Sequence, residues 1–199
     1  ATNNTAMGHG AALSTTTGHS NTASGYLAFY TNSTGCYNAA YGSLSLAANT
    51  TATMNTGSGY ASLRCNTTGA CNAAFGGQSL FCNTTGGCNV AVGKSAMQVN
   101  STGAGNVAIG RSAMHSNTSG AENVAIGDRA LCSNTTGNCN HALGQQALQS
   151  TTTGGGNVAA GKSAGYANTT GCNNVALGFN ALNKNTTAID NTAIGYRSL

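Results

Sequence analysis

Apolar and polar positions recur along this chain with a period of 17 residues. In residues 106–122 a polar Asn is followed by Val107, Ala108 and Ile109, and a Gly closes this short run. The same pattern restarts at Asn123, and twelve such repeats follow one another without insertion or deletion. A short fixed period is the signature of a repeat architecture. We therefore interpret the chain as a stack of equivalent units.

The alternation within each repeat predicts a short β-strand. Val107 and Ile109 flank Ala108, which is the period of two expected when successive side chains point to opposite faces. Gly and the recurring Asn-Thr-Thr-Gly segment are typical of turns, and the many Gly, Asn and Thr residues disfavour a helix. We predict an all-β fold in which residues 1–199 form a single repeat domain. It would be a parallel β-solenoid, or β-roll, of twelve 17-residue turns, the last one incomplete.

The Asn that leads each repeat is predicted to form a ladder along the rod. Stacked strands place equivalent residues about 4.8 Å apart, so each side-chain amide could donate to the next, as stacked Asn does in other cross-strand arrays. The alternative is that Asn serves turn geometry alone, and the two roles are compatible. The predicted ladder consists of Asn4, Asn21, Asn38, Asn55, Asn72, Asn89, Asn106, Asn123, Asn140, Asn157, Asn174 and Asn191.

The two faces of the predicted strand differ in character. Ala108 and its equivalents, together with Leu residues such as Leu131, predict a thin interior, which leaves Val107 and Ile109 on the other side of the strand. An apolar stripe outside a thin rod is exposed unless another chain covers it. We therefore expect copies of the chain to associate along the rod. The predicted contact residues are Val90, Val92, Val107, Ile109, Val124 and Ile126.

The repeated sequence Asn-Val-Ala-Ile-Gly-x-x-Ala-Leu, spaced by Asn-Thr-Thr-Gly, resembles repeats of bacterial and phage tail-fibre-like surface proteins. Its Asn-Val-Ala-Ile-Gly core also looks like the head repeat of trimeric autotransporter adhesins. The resemblance covers essentially the whole chain, although the repeat is longer here than in the adhesin heads. It implies a left-handed parallel β-roll assembled as a homotrimer, with Val and Ile facing the three-fold axis.

Six of the eight cysteines flank Asn-Thr-Thr-Gly turns in pairs. We predict a disulfide across each such turn, worth about 2 kcal/mol, and hence an oxidising, extracellular setting at a cell or virion surface. The predicted pairs are Cys65 with Cys71, Cys82 with Cys88, and Cys132 with Cys139. Pairing between adjacent repeats, Cys65 with Cys82 and Cys71 with Cys88, is the alternative, since a spacing of about 4.8 Å lies within disulfide reach. Cys36 and Cys172 lie too far apart to pair and are expected to be free or intermolecular.

Nine Asn residues in a single phase of the repeat begin Asn-x-Ser/Thr sequons. They are candidates for N-glycosylation, but Asn-Thr-Thr-Gly is also good turn chemistry, and glycans at every repeat would crowd. The candidates are Asn32, Asn49, Asn66, Asn83, Asn100, Asn117, Asn134, Asn168 and Asn185. A regular array of Thr and Asn also makes ice binding a hypothesis, although neighbouring Thr residues should point to opposite sides of the chain.

The composition of the chain argues against several classes of function. Charged residues make up 5% of the chain, and the net charge of +4 comes from scattered Lys and Arg, which is not the clustered footprint of a nucleic-acid binder. No run of 18 apolar residues predicts a membrane span. No nucleophile, base and orienting group recur together, and the Cys and His spacing does not suit zinc. We expect no catalysis, no metal and no cofactor.

These patterns predict an extracellular structural fibre or adhesin segment without catalytic activity. The alternative is a self-polymerising surface filament, with or without glycans, and an ice-binding protein is the third hypothesis. The expected partners are further copies of the chain, in a homotrimer or a filament. An adhesin would in addition bind a cell-surface glycan or a host receptor.

Overall fold

The computed structural model describes residues 2–199, and the predicted all-β parallel solenoid is confirmed. Twelve strands of three residues each pair in chain order within one sheet, and the chain winds through about 11 turns. No helix occurs in residues 2–199. The strands are β1 (Thr5–Met7), β2 (Thr22–Ser24), β3 (Ala39–Tyr41), β4 (Thr56–Ser58), β5 (Ala73–Phe75), β6 (Val90–Val92), β7 (Val107–Ile109), β8 (Val124–Ile126), β9 (His141–Leu143), β10 (Val158–Ala160), β11 (Val175–Leu177) and β12 (Thr192–Ile194).

Each strand lies in register with the strand of the next repeat. β7 pairs with β8 so that Ile109 lies beside Ile126, 17 residues later. The register continues through the turns, where the N–H of Thr118 donates to the carbonyl of Thr135 at 2.9 Å. We call each 17-residue unit a rung and number it by its strand. Positions are counted from the lead Asn, so that Asn106 is position 1 of rung 7.

Left-handed backbone at four positions of each complete rung bends the chain into a narrow cross-section. Position 5 is always Gly: Gly110 has a φ of +135°, and a Cβ built there would lie 2.5 Å from the Gly127 carbonyl oxygen. Positions 7, 9 and 17 are left-handed too but mostly hold other residues, such as Ser112, Met114 and Glu122. That conformation costs a non-Gly residue roughly 1–2 kcal/mol, so the hydrogen bonds between rungs have to offset a recurring strain.

Small and aliphatic side chains fill the interior. Ala108, Ala113 and Met114 of rung 7, at positions 3, 8 and 9, have no exposed surface. The predicted Leu column at position 9 is likewise buried, at Leu63, Leu80, Leu131, Leu148 and Leu182. Two of the three apolar core positions hold Ala in most rungs, which explains how a single layer of strand and turn can enclose its own core.

Candidate functional site

The outer face of the sheet bears the predicted contact residues. In β7 the burial runs from half-buried Val107 through fully buried Ala108 to Ile109, which is 38% exposed. β6 and β8 repeat this pattern, with Val92 and Ile126 exposed to 36% and 40%. The strand register places Val92, Ile109 and Ile126 in one column, and Val90, Val107 and Val124 in a second one beside it. An uncovered apolar surface of this kind marks an interaction site.

The lead Asn residues form the expected ladder inside the rod. Nδ2 of Asn106 donates to Oδ1 of Asn89 at 3.2 Å, and the backbone N–H of Asn106 donates to the same oxygen at 3.0 Å. The same Nδ2 also donates across the rung to the carbonyl of Gly120 at 2.8 Å. The sequence analysis had each amide donating to the next rung, whereas the bonds run to the preceding one. At Asn55 and Asn140 the backbone N–H alone makes this bond. Residues Asn21 to Asn174 of this column are at most 2% exposed, so the ladder is structural and closed to ligands.

A second Asn ladder runs through position 12, which is the row of predicted sequons. Nδ2 of Asn117 donates to Oδ1 of Asn100 at 2.7 Å and to the carbonyl of Gly120 at 2.9 Å. Asn32, Asn49, Asn66, Asn83, Asn100, Asn117, Asn134 and Asn168 are at most 1% exposed. An N-glycan would need the buried nitrogen that makes these bonds, so these eight side chains are closed to glycosylation in the folded rod. Asn185, near the last rung, is half-buried and bonds in the same way.

This second ladder is broken at rung 9. Position 12 there is Thr151, which is fully buried, and its shorter side chain does not reach the Asn of rung 8. Oδ1 of Asn134 is consequently a buried acceptor without a hydrogen-bond donor. On the other side of the break, Nδ2 of Asn168 meets the hydroxyl of Thr151 at 3.4 Å. The sequence motif Asn-Thr-Thr-Gly hid this ladder because it satisfies the sequon and turn patterns as well.

The predicted disulfides across the turns are absent from residues 2–199. All eight cysteines, including Cys36 and Cys172, are free thiols. Burial raises the pKa of the Cys82 thiol, and neighbouring Cys65 raises it further; burial also raises the pKa of Cys132. The prediction of Cys65–Cys71, Cys82–Cys88 and Cys132–Cys139 bridges is therefore wrong for this structure.

The hydroxyl row of the Asn-Thr-Thr-Gly turns is partly used within the rod. At position 13 the Thr118 hydroxyl donates to the carbonyl of Thr135 at 3.0 Å, and the Thr135 hydroxyl donates to that of Thr152 at 3.1 Å. Position 14, which includes Ser119 and Thr136, is exposed. The outward hydroxyl array is thus one residue wide.

Charged side chains contribute little to the surface. Arg111 and Asp128 at position 6 of rungs 7 and 8 form an ion pair with a nitrogen–oxygen distance of 2.9 Å. The hydrogen bond from Arg111 is the main cause that lowers the pKa of Asp128. The two side chains are 62% and 31% exposed, and pairs open to solvent stabilise a protein only weakly.

Comparison of the chain with protein-family models, with curated proteins and with solved structures found no match. Among residues 2–199, none belongs to a helix with the length and apolarity needed to cross a membrane. Within that range, no group of three or more His, Cys, Asp and Glu side chains is placed to hold a metal ion. The outer sheet face is therefore the surface on which a functional proposal can rest.

Proposed function

We propose that this chain is a non-catalytic structural segment of an extracellular fibre or adhesin, in which copies associate along their length as a homotrimer. The observation that supports this most is the uncovered apolar column at position 4 of rungs 6–8, formed by Val92, Ile109 and Ile126. Two buried Asn ladders beneath it suit a stiff rod, because every rung is bonded to the next by side chains as well as by backbone.

A second copy of the chain is the partner that fits this column. Rungs repeat about every 4.8 Å, so two parallel copies stay matched from rung to rung along rungs 6–8, whereas a partner without that repeat does not. Ile109 and Ile126 each keep about two-fifths of their surface exposed, and covering it gains roughly 1 kcal/mol per side chain. Summed over the two columns in several rungs of each copy, this gain reaches the cost of association, about 4–15 kcal/mol.

The number of copies and the extracellular setting are inferred from the motif. Asn-Val-Ala-Ile-Gly repeats resemble those of tail-fibre-like proteins and of trimeric autotransporter adhesin heads, in which Val and Ile face a three-fold axis. In this chain the Val and Ile of rungs 6–8 lie on the outer face that such an arrangement requires.

The test is the double variant Ile109→Asp with Ile126→Asp, measured by light scattering. It would place carboxylates of every copy at the shared contact, so we expect the oligomer to dissociate while the far-ultraviolet circular dichroism stays that of a β-rod. The matched control is Ser119→Asp with Thr136→Asp, which adds the same charges at exposed positions of the same two rungs and should leave the mass unchanged. An unchanged mass for the Ile variant as well would reject the lateral contact.

The two alternatives predict different behaviour. A self-polymerising filament would give long uniform fibres in electron micrographs of the purified chain, whereas a fibre or adhesin segment would give short rods. Ice binding would give thermal hysteresis. It has less support than at the sequence level, because the hydroxyls of Thr118 and Thr135 donate along the rod and leave only a narrow outward row.

A further inference from the structure

The outer face of β2–β5 differs from that of the later rungs and repeats every two rungs. β2 and β4 begin the segments Thr-Ala-Ser-Gly-Tyr (22–26) and Thr-Gly-Ser-Gly-Tyr (56–60). β3 and β5 begin Ala-Ala-Tyr-Gly-Ser (39–43) and Ala-Ala-Phe-Gly-Gly (73–77). At positions 4 and 6, an aromatic residue and a small residue therefore exchange places from one rung to the next.

The position 4 column presents two well-separated rings. Tyr41 lies between Ser24 and Ser58 in the strand register, and Phe75 follows beside Ser58. The two rings are 46% and 44% exposed. Because Ser58 is short, each ring stands clear of its neighbour in the column.

The position 6 column presents two more rings, offset by one rung. Tyr26 and Tyr60 are 54% and 56% exposed, and Ser43 lies between them. The ring of Tyr26 is stacked on His9 of rung 1, with the ring centroids 5.6 Å apart, so Tyr60 is the one of the two without a stacked ring beside it. Backbone hydrogen bonds hold the position 6 residues of successive rungs in register, since the N–H of Leu44 donates to the carbonyl of Tyr26 at 2.9 Å. The alternation of aromatic and small residues at position 6 stops after Tyr60. The next residue in the column is Gly77, where an added Cβ would have nothing nearer than a carbonyl oxygen at 4.0 Å.

The interval and the charge of this face restrict what it can bind. Like rings recur every two rungs, about 10 Å apart. No charged residue occupies positions 2, 4 or 6 of rungs 2–5, and the first at position 6 beyond them is Lys94 of rung 6. The matching ligand is an extended, uncharged polymer that offers an apolar face at about the same interval and hydroxyls beside it.

We propose that rungs 2–5 bind an extended β-1,4-linked glycan, with pyranose rings stacked on Tyr41 and Phe75 and with Tyr60 beside them. Successive sugars of such a chain are flipped, so the same face returns once per disaccharide, which is close to the length of two rungs. Axial C–H groups of the sugar pack on the aromatic faces, and the hydroxyls of Ser and Tyr take up the equatorial hydroxyls. Cellulose and chitin chains share this chemistry.

The alternating surface fits a glycan better than another copy of the chain. The Val and Ile columns of rungs 6–8 are uniform and can pack continuously, whereas Tyr41 and Phe75 project with a gap at Ser58 between them and another at Ser24 beside Tyr41. Closing a copy-to-copy contact here would leave those gaps unfilled and would strip water from Ser and Tyr hydroxyls. The glycan proposal concerns rungs 2–5 alone and is tested without reference to the trimer. Because Phe75 adjoins Val92 in the same position 4 column, it requires copies that touch at rungs 6–8 to part before rung 5.

The experiment measures binding of the full chain to cello- and chito-oligosaccharides of three to six sugars by calorimetry and by tyrosine fluorescence, which no Trp obscures. The variant is Tyr41→Ser with Phe75→Ser, which repeats the residues found at 24 and 58 in the same column. The control is Tyr37→Ser, which removes a ring at position 17 that is even more exposed, at 57%. We expect affinity to rise with chain length, to fall by at least about tenfold in the double variant, and to stay unchanged in the control.

Three results would overturn the proposal. One is the absence of binding to both oligosaccharide series, and another is equal binding by the double variant. The third is a change in oligomeric mass of the double variant together with its loss of binding, which would make the rings a contact between copies. Binding to cellulose alone or to chitin alone supports the proposal and identifies the sugar, provided that α-1,4-linked amylose binds at least tenfold more weakly. The trimer proposal is tested separately, by the oligomeric mass of the double variant Ile109→Asp with Ile126→Asp.

Discussion

The break in the second Asn ladder makes Thr151→Asn a stabilising substitution. An Asn at this position would bring an Nδ2 to the orphaned Oδ1 of Asn134 and an Oδ1 to Nδ2 of Asn168, which now donates to the Gly171 carbonyl at 3.0 Å and, in the preceding rung, reaches only the distant Thr151 hydroxyl at 3.4 Å. The corresponding bonds elsewhere in the column, such as that from Asn117 to Asn100, are 2.7 Å long. The rung can take the larger side chain because nine other rungs hold Asn at this position in the same turn.

The size of the effect follows from the buried acceptor. A buried polar group without a partner costs about 1–3 kcal/mol, and the new hydrogen bonds must also offset up to about 1 kcal/mol of side-chain ordering. We expect a gain of about 1–3 kcal/mol in the free energy of unfolding. For a chain of this length that raises Tm by about 2–4 °C per kcal/mol.

Two further variants make this test decisive. Asn100→Thr copies the natural break into an intact part of the column and should destabilise by a similar amount, because it orphans Oδ1 of Asn83 and removes the bond from Asn117. Thr153→Asn, at an exposed position two residues from the break, should change stability by less than about 0.5 kcal/mol. Thermal and urea unfolding followed by circular dichroism measure all three. If Thr151→Asn leaves Tm unchanged or lowers it, the argument from the orphaned oxygen is refuted.

Three other predictions address the turns, the ion pair and the thiols. Gly110→Ala should destabilise by about 2–4 kcal/mol in urea unfolding, since its Cβ would meet the next rung and its φ is +135°; Gly77→Ala, in open space, should be neutral. Because Arg111 lowers the pKa of Asp128 in the folded rod, the small stabilisation from this pair should be complete above the unfolded pKa, about 3.9, and vanish as pH falls through the folded value. Arg111→Gln should remove that acid dependence from Tm. Thiol titration of the unreduced chain in denaturant should count eight free cysteines, and fewer would restore a disulfide pairing.

The 17-residue period alone was enough to predict the register, the strands and the inward Ala. In a parallel stack every rung must bury the same positions, so a phase that repeats twelve times fixes which residues pair, as Ile109 with Ile126 does. The outward position of Val and Ile followed from the same alternation. None of this required knowing the path of the turns.

The fate of the turn residues could not be read from the period. Asn117 belongs to a sequon, and whether it faces water or the core depends on the left-handed positions around it. In the structure the turn closes inward, so that the Gly120 carbonyl accepts from both Asn106 and Asn117. The error over the cysteines has a related origin, because flanking the same turn in sequence is a weaker constraint than sulfur geometry. Disulfide formation depends on the direction of both Cβ atoms, which spacing does not give.

The two ladders also explain how one scaffold can present different outer surfaces. Rungs 3 and 7 have the same lead Asn, inward Ala and position 5 Gly, yet they expose Tyr41 and Ile109 at the same place. Stability between rungs comes from buried amides and backbone bonds that no outward side chain takes part in. Substitutions at positions 4 and 6 should therefore change what the rod binds with little effect on whether it folds. The proposed self-association of rungs 6–8 and glycan binding of rungs 2–5 can coexist on one rod for this physical reason.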